Sequence, residues 1–140
     1  MSEQLKQAVK SILQPLQPVY LATSMENQPR VRPVTLIYHE GRFYIATGSW
    51  DAKVKQIAAN PKVETCLMIK EDPYSGYARA CGELHTVSDE AIRREIFEAA
   101  PFLSNYWNEP TDPGYVLYQM SWEEVEYMKP GESVATKFNW

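Results

Sequence analysis

Between Val19 and Thr47 three β-rich runs, VYLATS, RPVTLIY and RFYIAT, are separated only by MENQP and HEG. Both spacers are short and rich in residues suited to turns, so the segment reads as a β-meander. Whatever else the chain does, the segment from Val19 to Thr47 must build consecutive antiparallel strands.

The flanking patterns are compatible with that start. Leu5, Val9, Ile12, Leu13 and Leu16 fall at helical spacing behind Ser2, a candidate N-cap, and Pro15 and Pro18 end the run. From Asp51 to Asn60 the period is again helical, with Val54, Ile57 and Ala58 on one face, until Asn60-Pro61 breaks it. Strand patterns resume in KVETCLMI (62–69) and YARACGELHTV (77–87), joined by the turn-forming DPYSG. Gly82 inside the second run predicts a bulge or a close backbone approach. Ser88, Asp89 and Glu90 open an amphipathic helix carrying Ile92, Ile96 and Phe97, which Pro101 stops. YVLYQMSWEEVEYM (115–128) reads as one long strand bent near Ser121, followed by an irregular tail, KPGESVATKFNW.

Six strands with only short helices between them lack the regular alternation of a doubly wound parallel sheet, whereas an antiparallel barrel closes its own edges. The expected fold is mainly β with peripheral helices, an antiparallel split β-barrel. The 140 residues, 44% of them hydrophobic, fit a single domain spanning 1–140. A net charge of −4 argues against broad attraction to nucleic acid or anionic membrane. No run approaches the roughly 18 apolar residues of a membrane span, and MSEQLKQAVK has no apolar core behind its charges, so the expected location is the cytoplasm. Cys66 and Cys81 are expected to be reduced and partly buried. His39 and His85 lie apart from each other and from any metal-ligand spacing, so no structural metal is expected.

The most informative chemistry lies in RVRPV (30–34) and TGSWDAK (47–53), which adjacent antiparallel strands bring together. Thr47, Gly48 and Ser49 offer hydroxyls and a flexible backbone just before a helix start, where free amides and the helix dipole favour an anion. Lys53 in the first helical turn opposes that dipole, a placement that makes sense if a bound phosphate supplies the compensating charge. Arg32 adds a candidate bidentate contact. Asp51 is the objection: its carboxylate can cap the same amides and repels phosphate, so it must point away if the cradle is real. The competing reading is an ordinary surface turn.

With these residues assembled, ATSMENQPRVRPVTLIYHEGRFYIATGSWDAKVKQIAANPKV resembles the pyridoxamine 5′-phosphate oxidase-like superfamily of FMN-binding split barrels. The resemblance rests on Arg-Pro-Val at 32–34, Phe-Tyr-x-x-Thr at 43–47 and Lys-x-x-Gln-Ile-x-x-Asn-Pro at 53–61. It implies that Arg32 and Lys53 bind the FMN phosphate with Thr47 or Ser49, that Arg30 adds a further ligand, and that the backbone of Pro33, Val34 and Thr35 borders the isoalloxazine. It also implies a homodimer with FMN at the subunit interface, where Tyr77 reaches the flavin held mainly by the partner. ARACGELHTVSDEAIRREIFEAAPFLSNYW is similar to the nitroimidazole-resistance (Nim-like) branch. Two positions depart from the oxidases: Ala52 stands where they often carry Arg, and Ile37 where they carry a strand lysine. Their C-terminal Arg and His pattern has no counterpart here, which argues against vitamin B6 oxidation.

The resemblance thus implies an FMN-dependent oxidoreductase acting on a small molecule, with NADH or NADPH a candidate donor. Two alternatives stay open: a non-catalytic carrier or sensor of flavin or haem on the same fold, and a dimeric interaction protein that has lost the cofactor. Trp50 and Trp140 are read as packing residues rather than as a flavin cover.

Overall fold

The computed structural model describes residues 2–140. The meander is present as β1 (Leu16–Met25), β2 (Gln28–His39) and β3 (Arg42–Gly48). Its two turns place Glu26 and Asn27 at φ 54° and 62°, and Glu40 and Gly41 at φ 49° and 76°. Positive φ at both central residues is what a two-residue hairpin needs to match the twist of its strands. Register runs from Leu16↔Ile37 to Met25↔Gln28 in the first hairpin and from Ile37↔Tyr44 to His39↔Arg42 in the second.

α2 (Ala52–Ala59) leads to β4 (Lys62–Glu71), which pairs along its length with β5 (Tyr74–Thr86). The first helix, α1 (Ser2–Lys10), is shorter than the spacing predicts. It ends before Ile12, and Leu16 opens β1 instead of closing the helix. α3 (Glu90–Ala99) is capped by Asp89, whose carboxylate accepts from the Ile92 amide, and a 3-10 turn (Pro101–Asn105) follows directly. β3 pairs with β6 (Tyr115–Met120), β6 with the end of β5, and β4 with β1. The strands therefore close as the ring β1-β2-β3-β6-β5-β4, the antiparallel split barrel expected from the sequence.

The C-terminal region differs from expectation. The long strand predicted over 115–128 is two strands, β6 and β7 (Glu124–Met128), which pair with successive stretches of one edge of β5. The break falls at Ser121, whose hydroxyl accepts from the Glu83 amide at 3.0 Å while its own amide donates to the Glu83 carbonyl at 3.0 Å. Gly82 makes room for this crossing, because a Cβ there would lie 1.6 Å from the Ser121 carbonyl oxygen. The supposed irregular tail contains β8 (Thr136–Asn139), which pairs with β7. Trp140 then folds against Trp122 and Phe43, with ring centroids 5.0 and 5.8 Å away, so it packs as expected.

Two apolar clusters result. Leu21, Leu36, Ile45, Leu67, Leu84 and Val125 point into the ring. Alternate residues of the same strands, Ile37, Tyr44 and Leu117, point outward and are covered by Ile96, Leu103 and Trp107. Fully burying each such aliphatic side chain stabilises the fold by about 1.5–3 kcal/mol. Ile37, at 1% exposure, belongs to this second cluster, which explains physically why a lysine is out of place there. Cys66 and Cys81 are free and half-buried, as expected. Among the described residues no helix is long and apolar enough to cross a membrane.

Candidate functional site

Between the middle of β2, the end of β3 and the start of α2, beneath the 3-10 turn, a cavity of about 300 Å³ opens. Its lining includes Pro33, Val34, Thr35, Thr47, Gly48 and Lys53, six residues singled out from the sequence and drawn from two separate stretches. Phe102, Leu103, Tyr106 and Trp107 form the opposite wall. Trp50 lies at the rim and is 74% exposed, so it is a surface of the cavity and not the packing residue expected from the sequence. Gly48 permits this position: a Cβ there would come within 2.5 Å of the Trp50 ring.

The connection from β3 to α2 is pinned at both ends. The Ser49 amide donates to the Gly114 carbonyl and the Asp51 amide to the Gly48 carbonyl, each at 3.0 Å. Asp51 is the N-cap of α2, accepting from the Lys53 amide through Oδ1 at 3.0 Å. Its Oδ2 lies 2.9 Å from Lys53 Nζ, and that ammonium also donates to Thr47 Oγ1 at 2.7 Å. Asp51 therefore points toward Lys53, not away from it as the phosphate cradle was expected to require. The reason is electrostatic: Lys53 is only 8% exposed, and a buried cation is costly without a counterion. Burial pushes the Asp51 carboxyl up. The hydrogen bonds from Lys53 and the charges of Lys53 and Arg32 outweigh that push and hold it below its ordinary value.

Arg32 sits beside this pair on β2 and does not itself line the cavity. Its Nη1 donates to the Leu21 carbonyl at 3.2 Å and to Thr23 Oγ1 at 2.9 Å, and its Nη2 donates to Gln56 Oε1. Thr23 in turn donates to Gln56 at 2.7 Å. Every one of these acceptors is neutral, so the guanidinium is oriented without being neutralised. Gln56 belongs to the Lys-x-x-Gln-Ile motif, yet its role in fixing Arg32 was not anticipated.

The remaining sequence-predicted residues lie outside the cavity. Arg30 and Ser49 are exposed near it. Tyr77, on β5, donates through its hydroxyl to Glu126 at 2.6 Å and does not line the cavity. The aromatic wall was the main omission; its signal was the cluster Phe102, Tyr106 and Trp107 just after Pro101. Arg93 secures the loop beyond it, donating to the carbonyls of Pro110 at 3.1 Å and Tyr115 at 2.7 Å and stacking 4.4 Å above the Tyr115 ring. Burial pushes the Tyr115 phenol up to about 12, although the Arg93 charge opposes it.

Elsewhere, a depression of about 390 Å³ beside His85, Ser88 and Asp89 has no lysine or arginine in its lining and suits a phosphate poorly. His39, Glu40 and Glu95 bring one potential ligand atom each within 4.8 Å, a cluster not evident from sequence spacing. His39 Nε2 is already 3.1 Å from Glu95 there.

Comparison with known proteins fits this architecture. A NimC/NimA family protein from Clostridium acetobutylicum is 24% identical, with a TM-score of 0.76 over 99% of this chain and 92% of that one. General stress protein 26 from Bacillus anthracis is 20% identical, with a TM-score of 0.78 over 98% and 99% of the two chains. An FAD-binding protein from Mesorhizobium loti is 17% identical, with a TM-score of 0.72 over 94% and 96%. At these identities the likeness establishes the fold. No curated protein matches the sequence. The family model described as pyridoxamine 5′-phosphate oxidase, however, matches residues 5–129, and the chain belongs to that family.

Proposed function

We propose that residues 1–140 form a single FMN-binding domain that works as a homodimer and acts as an oxidoreductase on a small molecule, with NADH or NADPH as donor. The observation that carries this reading is the convergence of Pro33, Val34, Thr35, Thr47, Gly48 and buried Lys53 on one cavity. The donor set suits the cofactor. Lys53, Thr47 and the first amides of α2 offer a phosphate seat, with Arg32 and Arg30 as further cations and Ser49 as a further hydroxyl. The β2 backbone at Pro33–Thr35 and the apolar groups of Val34, Phe102 and Leu103 offer flat, largely apolar surfaces for a planar ring.

When bound, FMN supplies the hydride and electron transfer chemistry. The chain's own residues bind, orient and shield. Thr47 fixes the direction of the Lys53 ammonium, Gln56 and Thr23 fix Arg32, and the 3-10 turn excludes water from one side of the cavity.

The dimer is supported by exposed apolar residues on one sheet face, which they share with the Glu64–Arg79 ion pair. Tyr20 pairs with Cys66 and Met68 with Tyr77, while Ala22 pairs with Val31, which places all six on one side of the sheet. Tyr20, Val31 and Met68 are 50%, 69% and 49% exposed there. Tyr77 on this face is suitably placed to approach a ligand held by a partner subunit.

An absorbance spectrum and an FMN titration test the reading. Saturable FMN binding is expected in the wild type, weakened about tenfold or more by Arg32→Ala and by Lys53→Ala. Colourless protein that ignores FMN overturns it. A second reading, a flavin carrier without turnover, is favoured by one observation: the charged groups lining the cavity, Asp51 and Lys53, are paired with each other. Steady turnover with a nicotinamide donor and a nitroaromatic acceptor eliminates it. The haem variant of that reading has less support, because no histidine among the described residues lines the cavity.

A further inference from the structure

The pair Asp51–Lys53 uses the donors that a phosphate at the start of α2 would need. Asp51 Oδ1 holds the Lys53 amide and Oδ2 holds the Lys53 ammonium. A phosphate seated on the same amide and ammonium cannot share them with a carboxylate, because the two anions repel and compete for the same hydrogens. The partners also differ in freedom. The Lys53 side chain is 9% exposed and anchored to Thr47, whereas the Asp51 side chain is 40% exposed at the cavity rim. Asp51 is thus the member of the pair that can leave, rotating into water without opening the fold.

We propose that Asp51 is an internal occupant of the phosphate seat, which keeps buried Lys53 compensated while the site is empty and must be displaced when a phosphate-bearing ligand enters. The ligand chemistry rests on the FMN reading above, while the competition itself rests only on the geometry of Asp51, Lys53 and Thr47. Its consequence is selectivity. Part of the attraction between Lys53 and a phosphate is offset by the lost carboxylate contact, so ring contacts with Pro33–Thr35 and the aromatic wall carry a larger share of ligand recognition. Ala52 sharpens this point, since that position adds no second cation to outbid Asp51.

Two variants separate competition from capping. Asp51→Asn keeps an oxygen for the Lys53 amide and ranks with aspartate as an N-cap, and Asp51→Ser also caps but is shorter and uncharged. FMN and riboflavin dissociation constants are measured for the wild type and both variants at low ionic strength, together with thermal shifts in inorganic phosphate. The expected result is FMN binding tightened about tenfold or more in both variants, with riboflavin unchanged. Phosphate is expected to stabilise the variants more than the wild type. If the wild type binds FMN and neither variant binds it more tightly, the proposal is overturned; equal tightening of FMN and riboflavin overturns it as well. If no protein binds flavin but phosphate selectively stabilises the variants, the FMN reading fails and the assignment of Asp51 stands.

Discussion

The two apolar clusters are built from the same strands but depend on different things. Leu36 faces the inside of the ring and its neighbour Ile37 the outside; Ile45 and Tyr44 divide the same way. The inner cluster is enclosed by a ladder of strand pairings that closes on itself. The outer cluster exists only because α3 and the 3-10 turn dock against β2, β3 and β6, and two of its members, Leu103 and Trp107, also line the cavity. No buried member of the inner cluster lines the cavity, which it touches only through the partly buried Val34 packed against it, whereas the outer cluster supplies part of the cavity wall directly.

The sharpest way to break this distinction is a large truncation in the inner cluster. Leu67, at 3% exposure on β4, does not line the cavity. Leu67→Ala is expected to lower stability by about 3–4 kcal/mol, through lost burial and a residual void, in urea unfolding. The folded fraction should bind FMN with unchanged affinity. A parallel loss of affinity would show that the inner core also shapes the site.

The corresponding change in the outer cluster is Leu103→Ala. Leu103 is fully buried, but the 3-10 turn that carries it lies at the edge of the fold and can settle into part of the void. The expected cost is about 2–3 kcal/mol. Here FMN affinity should fall too, by several-fold, because the cavity wall moves with the turn. Stability lost without affinity lost would mean that the wall and the core are mechanically independent.

Legibility from sequence divides along similar lines. The meander, α2 and the β4–β5 pair were readable because strand and helix periodicities and turn residues act locally. The cavity's strand side was readable for the same reason, since 30–34 lie on β2 and 47–48 end the adjacent β3, which leads straight into the start of α2. The split at Ser121 was not, because it depends on Gly82, far away in sequence, admitting the Ser121 carbonyl. β8 was missed because a four-residue strand among Lys, Gly, Glu and Ser carries almost no pattern and is fixed by pairing with β7. The orientation of Asp51 was equally hidden: it follows from the burial of Lys53, which only the packed structure defines.

The smallest expected effect concerns that same pair, and its sign follows from the depressed Asp51 carboxyl. A carboxyl held below its ordinary value of 3.8 stabilises the folded chain above that value, and loses its contribution as pH falls through the lower folded-state value. The wild type should therefore melt above Asp51→Asn near neutral pH, and the two curves should converge in acid. With the Asp51 side chain 40% exposed, solvent screening limits the gap. A Tm difference of about 1–3 °C at neutral pH is the expected size. Melting both proteins without ligand across the acid range checks this. A gap that persists undiminished well below the ordinary carboxylate range would mean that the substitution acts through something other than the Asp51 charge, since asparagine keeps the cap. Convergence would tie the stability of the cavity's rim to the same ion pair that a phosphate must open, a dependence the inner core, whose buried cluster is uncharged, does not share.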